Sequence, residues 1–216
     1  MKNIMILALA LMLAACGAAP EGEQVEAQEA VETTAPAVET VSVAVDTDAS
    51  MINWVGAKFT GDQHTGTIQI AEGNLMTSDG NLVGGNFTID MNTIEVTDET
   101  PEAGKNKLVG HLSTGDFFEV EKFGTASFEI TSVEAIEGNA EATHKITGNL
   151  TMKDISKSIT IPAMVSITES GISAKTPQFV IDRTQWGVMY GSTAAGALKD
   201  KAIKNEIALQ INLSTK

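Results

Sequence analysis

The stretch IALQINL, residues 207–213, places an apolar side chain at every second position, with alanine, glutamine and asparagine between them. Because successive side chains of a β-strand point to opposite faces, this period of two predicts a strand with one buried and one solvated face. The same alternation recurs along the chain after residue 42, as in NFTIDM at 86–91 and SFEI at 127–130. Strands of this kind are typical of antiparallel sheets.

The alternation predicts eight strands, at residues 50–60, 64–73, 82–92, 125–136, 142–152, 156–168, 171–183 and 203–214. Only residues 101–123 have helical spacing, because Leu108 and Leu112 lie one turn apart. We therefore predict an all-β fold, an eight-stranded antiparallel barrel with one short helix in the connection after the third strand. A sandwich of two sheets would produce the same alternation, so closure into a barrel is a further hypothesis.

Short turns and long connections alternate along the chain. The glycine-containing turns SDGN at 78–81, EGNA at 137–140 and ESG at 169–171 each join two neighbouring strands. The intervening connections include the two longest ones between predicted strands, 93–124 and 184–202. If the strands run up and down in order, one end of the sheet carries the hairpins and the other carries the loops. Binding residues of a β scaffold usually lie on such loops.

The first sixteen residues, MKNIMILALALMLAAC, combine Lys2 with an apolar run and two alanines before Cys16. The run is too short to span a membrane and predicts an export signal over residues 1–15. Its ending, LAAC, resembles the bacterial lipoprotein signal, which implies that Cys16 is the acylated first residue of the mature protein. The alternative is an ordinary secretory signal that leaves an unpaired thiol, since the chain has one cysteine. We expect a lipid anchor on the periplasmic side of a bacterial membrane. The residue after the cysteine is Gly17 and not aspartate, which is compatible with sorting to the outer membrane.

Residues 16–42 are predicted to form a lipidated, acidic, disordered linker. From Gly17 to Ser42 the chain has six glutamates and no basic or aromatic residue. Such a segment has too little apolar surface to offset the entropy of ordering, so we expect a tether that precedes a domain over 43–216. The net charge of -14 disfavours nucleic acid as a partner.

Three motifs carry a family resemblance: His-x-Gly at His64 and Gly66, the block GHLSTGDFF at 110–118, and Asp182-Arg183-Thr184 followed by Gly187. In order and spacing they resemble the YceI-like, or polyisoprenoid-binding, family from about residue 43 to the end. The resemblance implies an extended lipocalin-like barrel, exported to the periplasm. It also implies a long apolar pore that holds an isoprenoid or another lipid-like chain.

The inward-facing apolar side chains have two interpretations. They could pack into a dry core, or they could line a tunnel for a lipid chain, which the resemblance implies. The predicted ligand-binding residues are Trp54, His64, Phe87, Ile89, Met91, His111, Phe118, Phe128, Ile130, Phe179, Ile181, Arg183 and Trp186. The expected ligand is an isoprenoid, quinone-like or fatty-chain lipid. We expect no cofactor, and association of two barrels into a homodimer is left open.

Arg183 is the only arginine in the chain and ends the seventh predicted strand. In one interpretation Asp182 pairs with it and Trp186 covers its planar face, so that it latches the 184–202 connection onto the barrel. In the other, its guanidinium grips a phosphate, carboxylate or quinone oxygen at the pore mouth. The latch is favoured because Asp182 already offers a partner.

His64 and His111 fall at the loop-rich end, where each either holds a loop against the barrel or contacts a ligand head group. A metal site is not expected, since only Asp62 and Asp116 would supplement these two histidines. Enzymatic activity is not expected either, because the chain has no G-x-S-x-G motif and its only cysteine is predicted to be acylated.

The sequence therefore favours a membrane-tethered periplasmic binding protein that stores, transports or shields a lipid in its barrel. The rival hypothesis is a ligand-free structural or stress-response lipoprotein, whose barrel is solidly packed and whose surface binds protein partners.

Overall fold

The computed structural model describes residues 20–33, 38–99 and 104–216. The predicted signal peptide and Cys16 lie outside the described residues. The strands are β1 Glu23–Gln24, β2 Gln28–Glu29, β3 Val41–Ala44, β4 Met51–Lys58, β5 Gln63–Ser78, β6 Asn81–Val96, β7 Thr125–Ala135, β8 His144–Met152, β9 Ile155–Thr168, β10 Gly171–Lys175, β11 Phe179–Asp182 and β12 Ile203–Ser214. One α-helix, α1, spans Lys105–Leu112, and two 3-10 helices span Arg183–Trp186 and Thr193–Ala195.

The strands from β4 to β10 pair in chain order, each antiparallel to the next. Strand β12 then pairs with both β10 and β4, which closes the sheet on itself. The predicted eight-stranded antiparallel barrel is therefore confirmed, as is the short helix after the third strand of the prediction. None of the helices among the described residues is long and apolar enough to cross a membrane.

The seventh predicted strand, 171–183, is two strands in the structure. The ladder breaks between β10 and β11 at residues 176–178, where Pro177 has no N–H to donate. Thr176 bridges the break: its N–H donates to the Ile211 carbonyl at 3.0 Å, and its hydroxyl accepts the Ile211 N–H at 2.9 Å. As a result β10 stays between β9 and β12, whereas β11 pairs with β12 and the short β1.

The two ends of the barrel differ, as the turn pattern predicts. We call one the closed end; it carries the turns at residues 79–80, 136–143 and 169–170. We call the other the loop-rich end; it carries residues 59–62, 97–99, 104–124, 153–154 and 183–202, and therefore α1 and both 3-10 helices.

The half of the barrel next to the closed end is filled by its own side chains. The rings of Phe87 and Phe128 lie 5.5 Å apart, and both residues are at most 3% exposed. Leu75, Ile146 and Ile161 are buried in the same cluster. The void left among these side chains has a volume of only about 20 Å³, which is too small for a lipid tail.

The N-terminal segment differs from the sequence prediction. Instead of a disordered linker, residues 20–33 lie against the barrel wall, where β1 pairs in parallel with β11 and β2 pairs antiparallel with β9. Val25 is 6% exposed and belongs to the core cluster. Composition does not register these contacts because backbone hydrogen bonds, barrel side chains such as Asn149 and Lys157, and one buried valine hold the segment, and none of them depends on a high apolar content.

Candidate functional site

A cavity of about 660 Å³ occupies the half of the barrel next to the loop-rich end. Its walls are apolar side chains of the strands, among them Ile68, Ile94 and Leu209, and Leu108 and Leu112 of α1 also line it. Because the other half of the barrel is packed, the cavity is a pocket with one closed end and does not continue as a pore.

Seven of the thirteen predicted ligand-binding residues line this cavity: Trp54, His64, Ile89, Met91, His111, Phe118 and Arg183. The other six do not. Phe87, Phe128 and Ile130 lie in the packed half of the barrel, and Phe179, Ile181 and Trp186 are buried at 1%, 0% and 0% exposure without lining the cavity. The period of two identifies which side chains point inward, but it does not give their height along the barrel axis.

Several lining residues were not singled out from the sequence. Ile94 lies beyond the predicted end of its strand, and a register irregularity of β6 between Asp90 and Glu95 shifts the alternation there. Extending the period of Ile89 and Met91 would have selected Thr93 instead. Phe117 and Tyr190 come from loops, whose side chains follow no period. Phe117 does lie inside the block 110–118, which was one available signal.

The mouth of the cavity is polar and carries both signs of charge. Lys58, Lys107 and Lys201 line it together with Asp62 and Glu99. The apolar interior and this charged mouth suit a molecule with a hydrocarbon tail and a polar head.

His64 connects the barrel to the long connection after β6. Its Nδ1 lies 3.1 Å from Asp98 Oδ2 and 3.6 Å from Glu99 Oε1. The other oxygen of Asp98 accepts the Thr65 N–H at 2.8 Å. Partial burial acts to raise the pKa of Asp98, but the hydrogen bonds from Thr65 and His64 outweigh it and leave the pKa below its usual value. This geometry matches the loop-holding interpretation of His64, although its ring also lines the cavity.

Asp98→Asn is expected to remove a pH-dependent part of the stability. Because the pKa of Asp98 is lowered by folding, its carboxylate stabilises the fold above the unfolded pKa of about 3.9, and this contribution is lost as the pH falls through the folded pKa. Urea unfolding should therefore show the wild type more stable at neutral pH and the two proteins equal in acid below both pKa values. A difference that stays constant with pH would contradict the assignment.

Gly66 explains the His-x-Gly motif. A Cβ atom at this position would lie 1.8 Å from the Glu95 carbonyl oxygen and 2.5 Å from Cε2 of the Trp54 indole. The absence of a side chain lets the Trp54 indole pack against Gly66 of β5 and form part of the cavity wall. The Nε1 atom of Trp54 is buried and has no hydrogen-bond partner among the described residues.

Gly66→Ala is expected to destabilise the barrel by about 3 kcal/mol, because both the β6 backbone and the indole would have to move. Gly110→Ala is the matched control: it lies in α1 with open space around it, and alanine there should be neutral or stabilising by up to about 1 kcal/mol. Chemical denaturation of both variants checks the difference. If Gly66→Ala and Gly110→Ala were equally stable, the backbone and the indole around Gly66 would accommodate a Cβ atom without cost, which would contradict this explanation.

His111 belongs to a cluster of rings at the mouth. Its Nε2 lies 2.9 Å from Asp116 Oδ2 within the same connection. The His111 ring meets Phe117 and Tyr190 edge-on, at centroid distances of 5.1 and 4.8 Å. The cluster therefore joins the 97–124 connection to the 183–202 connection over the cavity.

Arg183 is a latch in the structure. The residue is 2% exposed, and its guanidinium donates to three backbone carbonyls: Nε to Lys204 at 3.1 Å, Nη1 to Val188 at 2.6 Å and Nη2 to Tyr190 at 2.8 Å. Burial lowers the pKa of the guanidinium, and the charges of Asp182 and Glu206 oppose that shift. These bonds fasten the 183–202 connection onto β12.

The partners of Arg183 differ from those predicted. Asp182 accepts the N–H and the hydroxyl of Thr184, at 2.9 and 2.6 Å, and caps the 3-10 helix. The guanidinium lies over the Phe117 ring at 5.9 Å. Trp186 instead donates its indole N–H to the Leu150 carbonyl at 2.8 Å.

Within the described ranges, no group of three or more His, Cys, Asp or Glu side chains is placed to hold a metal ion. The arrangement at the mouth offers hydrogen bonds and charge to a bound molecule.

Comparisons with known proteins agree with this architecture. The chain is 34% identical over 98 residues to a UPF0312 protein of Ectopseudomonas mendocina, covering 45% of this chain and 47% of that one. It is 41% identical over 76 residues to a UPF0312 protein of Pseudomonas aeruginosa, covering 35% and 34%. The matches thus span less than half the length of these relatives.

Two solved structures share the fold. Burkholderia cenocepacia BcnA superposes with a TM-score of 0.58 at 16% identity, over 80% of this chain and 99% of that chain. A polyisoprenoid binding domain from Saccharophagus degradans gives a TM-score of 0.58 at 15% identity, over 82% and 99%. The family model of the YceI-like domain matches residues 43–215, which is most of the described barrel. The chain therefore belongs to the YceI-like domain family.

Proposed function

We propose that this protein binds one lipid molecule, with the tail in the cavity and the head group at the loop-rich end. The observation that carries the proposal is the apolar cavity of about 660 Å³, which opens at one end and is sealed at the other. Its volume falls within the range of about 300–1,000 Å³ that is typical of small-molecule sites. The polyisoprenoid binding domain with the same fold supports a lipid-like ligand.

The energetics favour a tail over a polar ligand. Each buried methylene contributes roughly 0.8 kcal/mol, so ten of them supply about 8 kcal/mol before the costs of association. Met91 and Met152 in the wall can adapt to tails of different shape. We expect an isoprenoid, quinone-like or fatty chain.

The head group is expected to contact lysines rather than Arg183. All three guanidinium nitrogens of Arg183 already donate to backbone carbonyls, whereas Lys107 and Lys201 line the mouth. Ammonium groups attract phosphate, carboxylate or quinone oxygens. His64 and His111 lie beside them and could add a hydrogen bond.

The cellular role is part of the same proposal. The lipoprotein-like signal suggests that acylated Cys16 anchors the protein to the periplasmic side of a bacterial membrane, with the outer membrane as the expected site. A membrane-held barrel with a lipid pocket suits sequestration or transport of lipids.

Organic extraction of the purified, membrane-derived protein followed by mass spectrometry tests the proposal. We expect one amphiphilic lipid per chain. Recovery of no lipid, together with failure of the stripped protein to bind added prenyl phosphates or fatty amides, would favour the ligand-free structural lipoprotein instead.

A further inference from the structure

The N-terminal segment 20–33 forms part of the barrel wall although it lies outside the family match of 43–215. It fills the seam between β11 and β9, which do not pair with each other along β11. The Val25 N–H donates to the Val180 carbonyl at 2.7 Å, and the Gln178 side chain donates to the Glu21 carbonyl at 2.6 Å. We call residues 20–33 the strap.

The far part of the strap is held by side chains of the barrel. The Asn149 amide donates to the Val31 carbonyl at 2.6 Å and its oxygen accepts the Val31 N–H at 3.0 Å. Lys157 pairs with Glu29 at 2.7 Å. At the near part, a Cβ on Gly22 would lie 2.7 Å from the Gln178 carbonyl oxygen, so the strap approaches β11 as closely as glycine allows.

The strap shortens the connection to the predicted anchor. From Cys16 to Glu21 the chain has five residues, which reach at most about 17 Å when fully extended. A free linker from Cys16 to the start of β3 at Val41 would reach about 80 Å or more. The bilayer that holds the anchor therefore lies close to the flank of the barrel formed by the strap and β11.

Four exposed apolar side chains come from the segments at the loop-rich end on this same flank. The 183–202 connection follows β11 directly, and β9 begins on the other side of the strap. The side chains of Ile155, Met189, Tyr190 and Leu198 are 36%, 37%, 43% and 70% exposed. We call these four side chains the rim. Apolar groups of this size, concentrated on one surface, are typical of binding faces.

Three contacts place the rim beside the mouth. Tyr190 lines the cavity itself, and the backbone carbonyl of Leu198 accepts the N–H of Lys201, which also lines it. Ile155 packs beside Gly187, where a Cβ would lie 3.3 Å from its Cδ1 atom. The distance along β11 from Gln178 to Arg183 is roughly 17 Å at strand spacing, which matches the reach of the segment from Cys16 to Glu21.

We propose that the rim docks on the lipid bilayer and that the strap holds it there, so that the mouth of the cavity opens onto the membrane surface. The inference rests on the proposed acylation of Cys16. Leucine and methionine would enter the hydrocarbon boundary, tyrosine suits the interface, and Lys199 and Lys201 can extend to the lipid head groups. The ligand would then pass between bilayer and cavity without crossing water.

Spin-label accessibility tests the docking. The full acylated chain, carrying Leu198→Cys or Asp79→Cys with a nitroxide, is reconstituted in vesicles of phosphatidylethanolamine and phosphatidylglycerol. Asp79 lies in the turn at the closed end and is the matched exposed control. We expect the label at 198 to lose its collisions with a water-soluble relaxer while the label at 79 keeps them.

A second variant tests the strap. Gly22→Val should detach the near part of the strap and restore collisions at 198; if that variant folds poorly, Asn149→Ala releases the far part. Equal accessibility at 198 and 79 in the strapped protein would overturn the proposal, as would protection that appears without vesicles and grows with protein concentration, since a second copy would then cover the rim. The mass of the N-terminal peptide reports acylation of Cys16, and extraction reports the bound lipid, so failure of either is distinguishable from failure of docking.

Discussion

Arg183→Lys is expected to lower the free energy of unfolding by about 3 kcal/mol. Lysine can reach at most one of the three carbonyls that the guanidinium now satisfies, and each buried carbonyl left unpaired costs about 1–3 kcal/mol. Because these carbonyls belong to Val188, Tyr190 and Lys204, the loss should also loosen the 183–202 connection over the cavity.

Urea unfolding followed by tryptophan fluorescence measures this effect, since Trp186 is fully buried next to the latch. Lys199→Met is the matched control, because it removes a charge from an exposed position of the same connection and should change stability by no more than about 0.5 kcal/mol. If Arg183→Lys were as mild as the control, the carbonyls would have other partners and the latch assignment would be wrong.

Ala126→Phe is expected to abolish lipid binding and to leave the fold intact. Ala126 is 4% exposed on β7 and lines the cavity, so a phenyl ring there has room but takes the place of the tail. Displacing a few methylenes at about 0.8 kcal/mol each should weaken binding by at least about a hundredfold. Titration of the delipidated variant with a fluorescent fatty acid measures the loss.

Ala163→Phe is the matched comparison for Ala126→Phe, because it places the same ring in the packed half of the barrel. Ala163 is 1% exposed and borders the void of only about 20 Å³ in the packed half, so the same ring should overpack it and cost about 1–3 kcal/mol or more. The two variants therefore separate a hollow half from a solid half of one barrel. Equal destabilisation by both, or full lipid binding by Ala126→Phe, would contradict the placement of the cavity.

The strands could be predicted from the sequence because period-two alternation is a local property. The segments around Phe87, Phe128 and Leu209 all showed it, and all three are strands. The height of each side chain along the barrel is not local, since it depends on the register between strands. For this reason Ile89 lines the cavity, whereas Phe87, two residues earlier, packs in the half of the barrel next to the closed end.

The role of Arg183 was predictable in kind but not in detail. A single arginine beside Asp182 indicated a fixed guanidinium, and the structure holds it as a latch. Its partners are backbone carbonyls, which every residue carries, so no residue type in the sequence marked them. The same holds for the strap, whose hydrogen bonds are almost all made by the main chain of residues such as Val25 and Val31.

The central claim is that the loop-rich half of the barrel is a lipid pocket with one closed end, and a titration with linear alcohols of increasing length tests it most directly. Affinity of the delipidated protein should rise about fourfold per methylene until the tail reaches Phe87 and Phe128, and then level off. Absence of binding at every length, or an affinity that keeps rising with length as in an open pore, would contradict the claim.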